Sequence, residues 1–386
     1  MFIVQTMLVL DGKLAVTASF GFALAALSLV QWTADWGGLV LLARLAAQKT
    51  DFGPQWEASL GRLVIAVPIT LIQLSLIWFY NGLDSLACGI LIGGIPVAPV
   101  WAMNLSGYLD GHARNALSGP LAGLPWSAAA LAAYCMLHTG EASYQAGLVI
   151  GMAYSAGCSA CVIAQYFIAR SIQPAGVSGK VTKEGILRFI SGGAAYCMAE
   201  FPNQFYARAL LVIVSESLGQ EVLGVYIYLR QIISASAQAI GLIKRVEFPR
   251  FSRVVTERSF RLRDVLFSQG ISLGFSFLAF LASLIWAVWD PMIIPKLSNV
   301  ALYMPFFAAA LPMWAIAATL GQVLIVQNRV KLYSAVMLCS IAVSATAVVA
   351  LTGVMGLTFL ALVDVVMFAA QAGAYYTAAF QRYPAK

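Results

Sequence analysis

Apolar residues run through this chain in long stretches, broken by short polar ones. A helix of about 20 apolar residues crosses the hydrocarbon core of a bilayer. Runs of that length recur from end to end. The pattern predicts eleven spans, at 15–43, 62–80, 85–106, 115–137, 143–169, 189–215, 222–243, 265–288, 300–326, 332–352 and 357–380. The opening MFIVQTMLVL is too short to span and lacks the positive start and cleavage site of a signal peptide. It reads as the tail of a helix or as an interfacial stub.

The stretch SIQPAGVSGKVTKEG, at 171–185, is the one long Gly/Ser/Pro/Lys segment, and it separates five spans from six. It predicts an N-terminal lobe at 1–170, a linker at 171–188 and a C-terminal lobe at 189–386. The segments LDGKLAVTASFGFALAALSLVQW (10–32) and LGQEVLGVYIYLRQIISASAQAI (218–240) share a pattern: a polar turn with Gly, then a long span rich in small and aromatic residues. In the second half that span follows a full helix, and in the first only ten residues precede it. The expected fold is an all-α membrane bundle of two pseudo-repeated lobes, five helices plus six, with the first lobe lacking its opening helix.

Composition agrees with that class. Only 10% of the 386 residues are charged and 61% are hydrophobic; a soluble domain carries about 25% charged residues. Mean hydropathy is +0.84. The charges also fall unevenly. Nineteen of the 23 Lys and Arg lie in the breaks at 44–62, 107–114, 170–188, 244–264 and 327–331 and at the C-terminus. The opposite breaks hold Lys13 and Lys296 only. Positive loops stay in the cytoplasm, so the N-terminus is expected outside and the C-terminus inside, in the cytoplasmic membrane. The basic run KRVEFPRFSRVVTERSFRLR, at 244–263, is then expected against anionic headgroups. Topology accounts for that run, so nucleic acid is not implied by the pI of 9.1.

Enzyme motifs are absent. PAGVSGKV, at 174–181, has Pro where a phosphate loop needs its first Gly, and Val where magnesium needs Ser or Thr. His112 and His138 sit at opposite membrane edges, and Cys158 and Cys161 have no second pair, so neither a metal site nor a cofactor is expected. The outer loops are short, against the sizeable loop a glycan-transferring enzyme would use to hold its acceptor.

The remaining candidates are charges inside the spans: Asp35, Glu200, Arg208, Arg230 and Asp364. Such residues are rare and mark functional sites or structural pairs. Arg208 precedes Glu216 by eight residues, which places it about 12 Å below the outer edge; Arg230 follows Glu221 by nine, about 13 Å below it. Both reach the middle of the core. Glu200, Asn203, Gln204 and Arg208 form one helical stripe, and Arg230, Ser234 and Gln238 a second. Arginine suits phosphate, because its planar fork donates two parallel hydrogen bonds. The competing reading is structural pairing, Arg208 with Glu200 or Arg230 with Asp364. Asp35 and Asp364 are candidates for proton or ion coupling, or for helix packing. Gln31, Gln73, Asn104, Gln322 and Gln371 are unranked candidates for glycan contact.

ADWGGLVLLARLAAQ, at 34–48, resembles the D-x-G…R-x-x-A signature of polysaccharide flippases, the Wzx-type members of the multidrug/oligosaccharidyl-lipid/polysaccharide exporter superfamily. SLGQEVLGVYIYLRQIISASAQAIGLIKRVEFPRFSRV, at 217–254, is similar to that family's L-G…G-x-Y…P-x-x-S pattern, with Gly224, Tyr226, Pro249 and Ser252 at the matching positions. APVWAMNLSGYLDGHARNAL, at 98–117, matches loosely. The resemblance implies two six-helix lobes around a central cavity that opens to alternate sides. It implies a lipid-diphosphate-linked oligosaccharide as cargo, for O-antigen or exopolysaccharide biosynthesis, and polysaccharide assembly proteins as further partners. The alternatives are a cation-coupled multidrug exporter of the same superfamily and a membrane enzyme that transfers glycan.

Overall fold

The computed structural model of the chain describes residues 2–48, 53–79, 84–139, 142–172, 181–256, 261–293, 298–327 and 329–380. Among them are seventeen helical segments and no strand. Lipid offers no hydrogen bonds to the backbone, so a chain this apolar must satisfy its N–H and C=O groups within helices.

The first segments are α1 (Phe2–Leu10), α2 (Leu14–Asp35), α3 (Gly38–Gln48), α4 (Gly53–Phe79), α5 (Ser85–Gly93), α6 (Val97–Trp101), α7 (Ser106–Gly111), α8 (Asn115–Ala122), α9 (Leu124–Thr139) and α10 (Tyr144–Ile172). Then come α11 (Lys183–Leu218), α12 (Gln220–Thr256), α13 (Leu262–Ser268), α14 (Gly270–Ile293), α15 (Ser298–Ala308), α16 (Ala310–Val326) and α17 (Val330–Phe380). Eight stretches are long and apolar enough to cross a bilayer, or nine if α5 and the segment 97–111, bent by 40°, count as one. Large apolar side chains such as Val64, Leu71 and Trp78 on α4 face outward. A water-soluble surface rarely tolerates so much exposed apolar area, whereas lipid requires it. The protein is a multi-pass membrane protein.

The helices depart from several of the expected spans. The spans 189–215 and 222–243 lie within α11 and α12, which have ample length at 36 and 37 residues. They fall outside the apolar set because they carry the charged stripes. The span 15–43 is broken: Trp36 (φ 48°) and Gly37 (φ 70°) interrupt it between α2 and α3. The Trp36 indole donates to Ile190 O at 2.9 Å, and Leu39 N donates to the Asp35 carboxylate at 2.8 Å, so Asp35 caps α3. A Cβ on Gly37 would also come within 2.8 Å of Gly193 O, so glycine is required twice over. Finally, the two expected spans at 332–352 and 357–380 run on within α17, turning at Gly356 (φ 72°).

By packing, the chain falls into two compact units. Residues 3–8 and 19–208 make the first; Phe2, 9–18 and 209–386 make the second. The division falls inside α11, at Arg208, whereas the composition shift predicts it at 171–188. In the first unit α5 lies directly on α10. A Cβ on Gly147 would meet Leu86 O at 2.2 Å, and one on Gly151 would meet Ile90 O at the same distance. Small residues at such a crossing let the backbones touch. In the second unit Phe251, Val265, Leu320, Val323, Leu324 and Tyr375 form a buried cluster that ties α12 and α13 to α16 and α17.

Candidate functional site

In the first unit, α2 turns one polar face inward. Ser28, Gln31 and Asp35 follow at intervals of three and four residues, which is one side of a helix. Each meets a partner from another helix. Ser28 Oγ accepts from Arg208 Nη2 at 2.9 Å, across 180 residues of sequence. Gln31 Oε1 accepts from the buried Tyr154 hydroxyl at 2.7 Å. Asp35 Oδ1 accepts from Arg62 Nη1 at 3.1 Å and from Asn104 Nδ2 at 3.2 Å.

Arg208 is half-buried. Its Nη1 donates to Gln204 Oε1 at 2.6 Å and to Gln204 O at 3.2 Å, as the four-residue spacing on α11 allows. Its Nε is buried and has no partner among the described residues. No carboxylate pairs with it among the described residues. The side chains of Glu200 and Asn203, the other members of that stripe, lie outside the described residues.

Asp35 has a different character. Arg62 is fully buried, donates its Nη2 to Asn104 O at 2.7 Å, and lies 5.9 Å from the centre of the Phe189 ring. Asn104 Oδ1 in turn accepts from Ser106 N and Oγ, and Gln165 reaches Ser106 Oγ. Asp35 thus sits in a closed brace between α2, α4 and the segment after α6. Arg62 falls in a basic break by its sequence pattern, and nothing local marks it as the partner of an acid 27 residues away. Asn104, an unranked glycan candidate, is part of the same brace. Gln73 donates to Leu91 O at 2.9 Å.

In the second unit, Arg230 Nη2 lies 3.0 Å from Asp364 Oδ2. This is one of the two structural pairs that the sequence reading set against the functional one. Arg230 Nε donates to the Tyr226 hydroxyl at 2.9 Å. Tyr226 is one helical turn before Arg230, a neighbour that spacing alone could have identified. The two partners differ in exposure: 32% for the Arg230 side chain and 5% for that of Asp364. Ser234 and Gln238 continue the stripe on the exposed face of α12 and bond each other at 3.3 Å. Gln322 accepts from Gln269 Nε2 at 2.5 Å, and Gln371 is buried.

The basic run at 244–263 needs a correction at its start. Lys244 is 4% exposed, and its Nζ donates to Ala315 O at 2.6 Å and to Thr319 Oγ1 at 2.9 Å. Glu247 is buried beside it and accepts from Ile271 N and Ser272 N at the start of α14. Lys244 is therefore a core residue and not a headgroup contact, because α12 continues past the expected end of its span and packs on α14 and α16. Arg250, Arg253, Arg261 and Arg263 are exposed. The Arg245 side chain and residues 257–260 lie outside the described residues.

No protein-family model matches the chain, and no curated protein matches it. Solved structures do. An inward-facing multidrug resistance MATE family transporter of the MOP superfamily aligns with a TM-score of 0.62 over 98% of this chain and 97% of its own, at 10% identity. The chain has the MATE transporter fold. An outward-facing MATE transporter aligns with a TM-score of 0.58 over 99% of this chain and 94% of its own, at 13% identity. A MOP superfamily transporter from Pyrococcus furiosus Vc1, for which a reversed polarity of the binding pocket suggests a different function, aligns with a TM-score of 0.51 over 98% of this chain and 87% of its own, at 11% identity. At these identities the MATE likeness establishes the fold, and the chemistry rests on this chain's own side chains.

Proposed function

We propose that this protein carries an anionic, lipid-diphosphate-linked oligosaccharide across the cytoplasmic membrane by alternating access. Arg208 in the first unit and Arg230 in the second are the proposed anion contacts, each in its own unit. Arg208 carries the reading. It is a half-buried cation in a membrane helix, held only by neutral Gln204 and Ser28 among the described residues, with an Nε to spare. A guanidinium at that depth is costly unless an anion or water meets it. The MATE fold supports the mechanism, since it is known in inward-facing and outward-facing forms. The Pyrococcus furiosus transporter supports the idea that one fold accepts pockets of different polarity. The distribution of Lys and Arg supports a cytoplasmic C-terminus.

The multidrug alternative draws on the description of the MATE relatives. Against it, Asp35 and Asp364, the intramembrane acids whose side chains are described, are each paired with an arginine. The two readings separate in proteoliposomes. Wild-type protein should move a fluorescent lipid-diphosphate glycan between leaflets, and Arg208→Ala should slow it on the order of tenfold, the loss of one charge-assisted contact. Unimpaired transport at equal protein level, or movement of lipophilic cations instead, would sink the proposal.

A further inference from the structure

Among the described residues are two arginine–aspartate pairs, and they are built differently. In Arg62–Asp35 both partners are closed in: side-chain exposures are 0% and 13%. Asp35 takes donors from Arg62, Asn104 and Leu39 N, so it would remain bonded if one left. In Arg230–Asp364 the acid is sealed at 5% exposure and has Arg230 as its one ion-pair partner among the described residues, while the arginine is 32% exposed. The first pair is a brace. The second holds a half-open cation against a buried anion.

We infer that Asp364 is an internal competitor for Arg230 that selects cargo by charge: a diphosphate displaces it and a singly charged anion does not. The inference rests on the transport reading above and names the property of cargo which that site selects. The physical reason is a difference of affinities. An incoming anion must replace an attraction that already exists, and it leaves a buried carboxylate without its partner. A group with one negative charge offers no more than Asp364 does. A diphosphate brings more charge and more acceptor oxygens, matched to the planar guanidinium fork. Tyr226 keeps the cation in place during the exchange, through its hydroxyl on Nε and its ring 5.5 Å below the guanidinium carbon. An element that penalises the wrong ligand is a common route to specificity.

The test uses the full-length purified protein in detergent, with farnesyl diphosphate, the singly charged phosphodiester farnesyl methyl phosphate and inorganic pyrophosphate as probes. Wild type should prefer the diphosphate strongly. Asp364→Asn should bind both prenyl compounds more tightly, with the phosphodiester gaining by about tenfold more, a coupling of ordinary size, so that the preference collapses. Arg230→Ala should lose the preference with no gain in affinity. A merely structural Asp364 would alter stability and leave the ratio of the two affinities alone. If Asp364→Asn is folded and keeps the wild-type ratio, the inference is overturned. Should the Asn variant not fold, the smaller Asp364→Ser replaces it and is held to the same outcome. Wild-type protein that binds neither diphosphate sinks the transport reading and this inference together. Wild-type binding that is lost in Arg208→Ala, with an unchanged ratio in Asp364→Asn, sinks this inference alone. Binding of farnesyl diphosphate over inorganic pyrophosphate supports a lipid as the source of the diphosphate, and the reverse order overturns it.

Discussion

Arg62 shows how much one side chain can brace. It is fully buried, and its two terminal nitrogens hold Asp35 and the Asn104 carbonyl. Removing one partner of a buried pair leaves the other charge stranded. Arg62→Ala should therefore lower stability by about 3–5 kcal/mol, read as a shifted unfolding midpoint in mixed micelles, with the Asp35→Asn/Arg62→Met double variant recovering part of that loss. Lys244 makes a second prediction at this scale. Because it is turned into the core, Lys244→Gln should not change the anionic lipid that co-purifies with the protein. Arg250→Gln and Arg253→Gln, on the exposed face, should each weaken retention of phosphatidylglycerol by about 1 kcal/mol, measurable by native mass spectrometry. The charges themselves were legible in the sequence, since an ionised group inside an apolar run stands out. Their partners were legible only within one helix. The pairs Gln204–Arg208 and Tyr226–Arg230 follow from four-residue spacing, whereas Ser28 with Arg208 follows from nothing local.

At the scale of the helix, two features decide the path of the chain. The α2–α3 break needs Asp35 as a cap and Gly37 in the left-handed region, and both are local chemistry. Gly37→Ala should cost about 1–2 kcal/mol from backbone strain alone, with the clash against Gly193 O added to it. Thermal unfolding of the variant in detergent checks this. The crossing of α5 and α10 depends on absent side chains. Gly147→Leu should abolish folded protein, as judged by monodisperse elution, because its Cβ would meet a backbone oxygen at 2.2 Å. Gly119 has open space around its Cβ position, so Gly119→Leu should stay within about 0.5 kcal/mol of wild type. Apolar run length identified most of the helices. It misjudged 15–43, because α2 and α3 are both apolar and the break between them is carried by a few residues that a hydropathy window averages away.

At the scale of the whole molecule, the distribution of positive charge predicts orientation. Single cysteines at Lys13 and Arg253, in a chain otherwise free of cysteine, should react with a membrane-impermeant maleimide from opposite faces of sealed vesicles. Labelling of both from one face would overturn the expected topology. The division into two units follows packing and not composition. It cuts α11 at Arg208, inside a continuous helix, where no change of residue type announces it.

The amino-acid sequence alone determined the membrane class, the helical fold and the presence of costly charges inside apolar runs. These depend on the local run of apolar residues and on the backbone's need for internal hydrogen bonds. Only the tertiary structure decided what those charges do. It sealed Asp35 into a brace, turned Lys244 inward, bonded Arg208 to Ser28 and set Arg230 half-open against Asp364. The reason is that each of these outcomes is a contact between helices remote in sequence, and the sequence records the two partners but not their meeting.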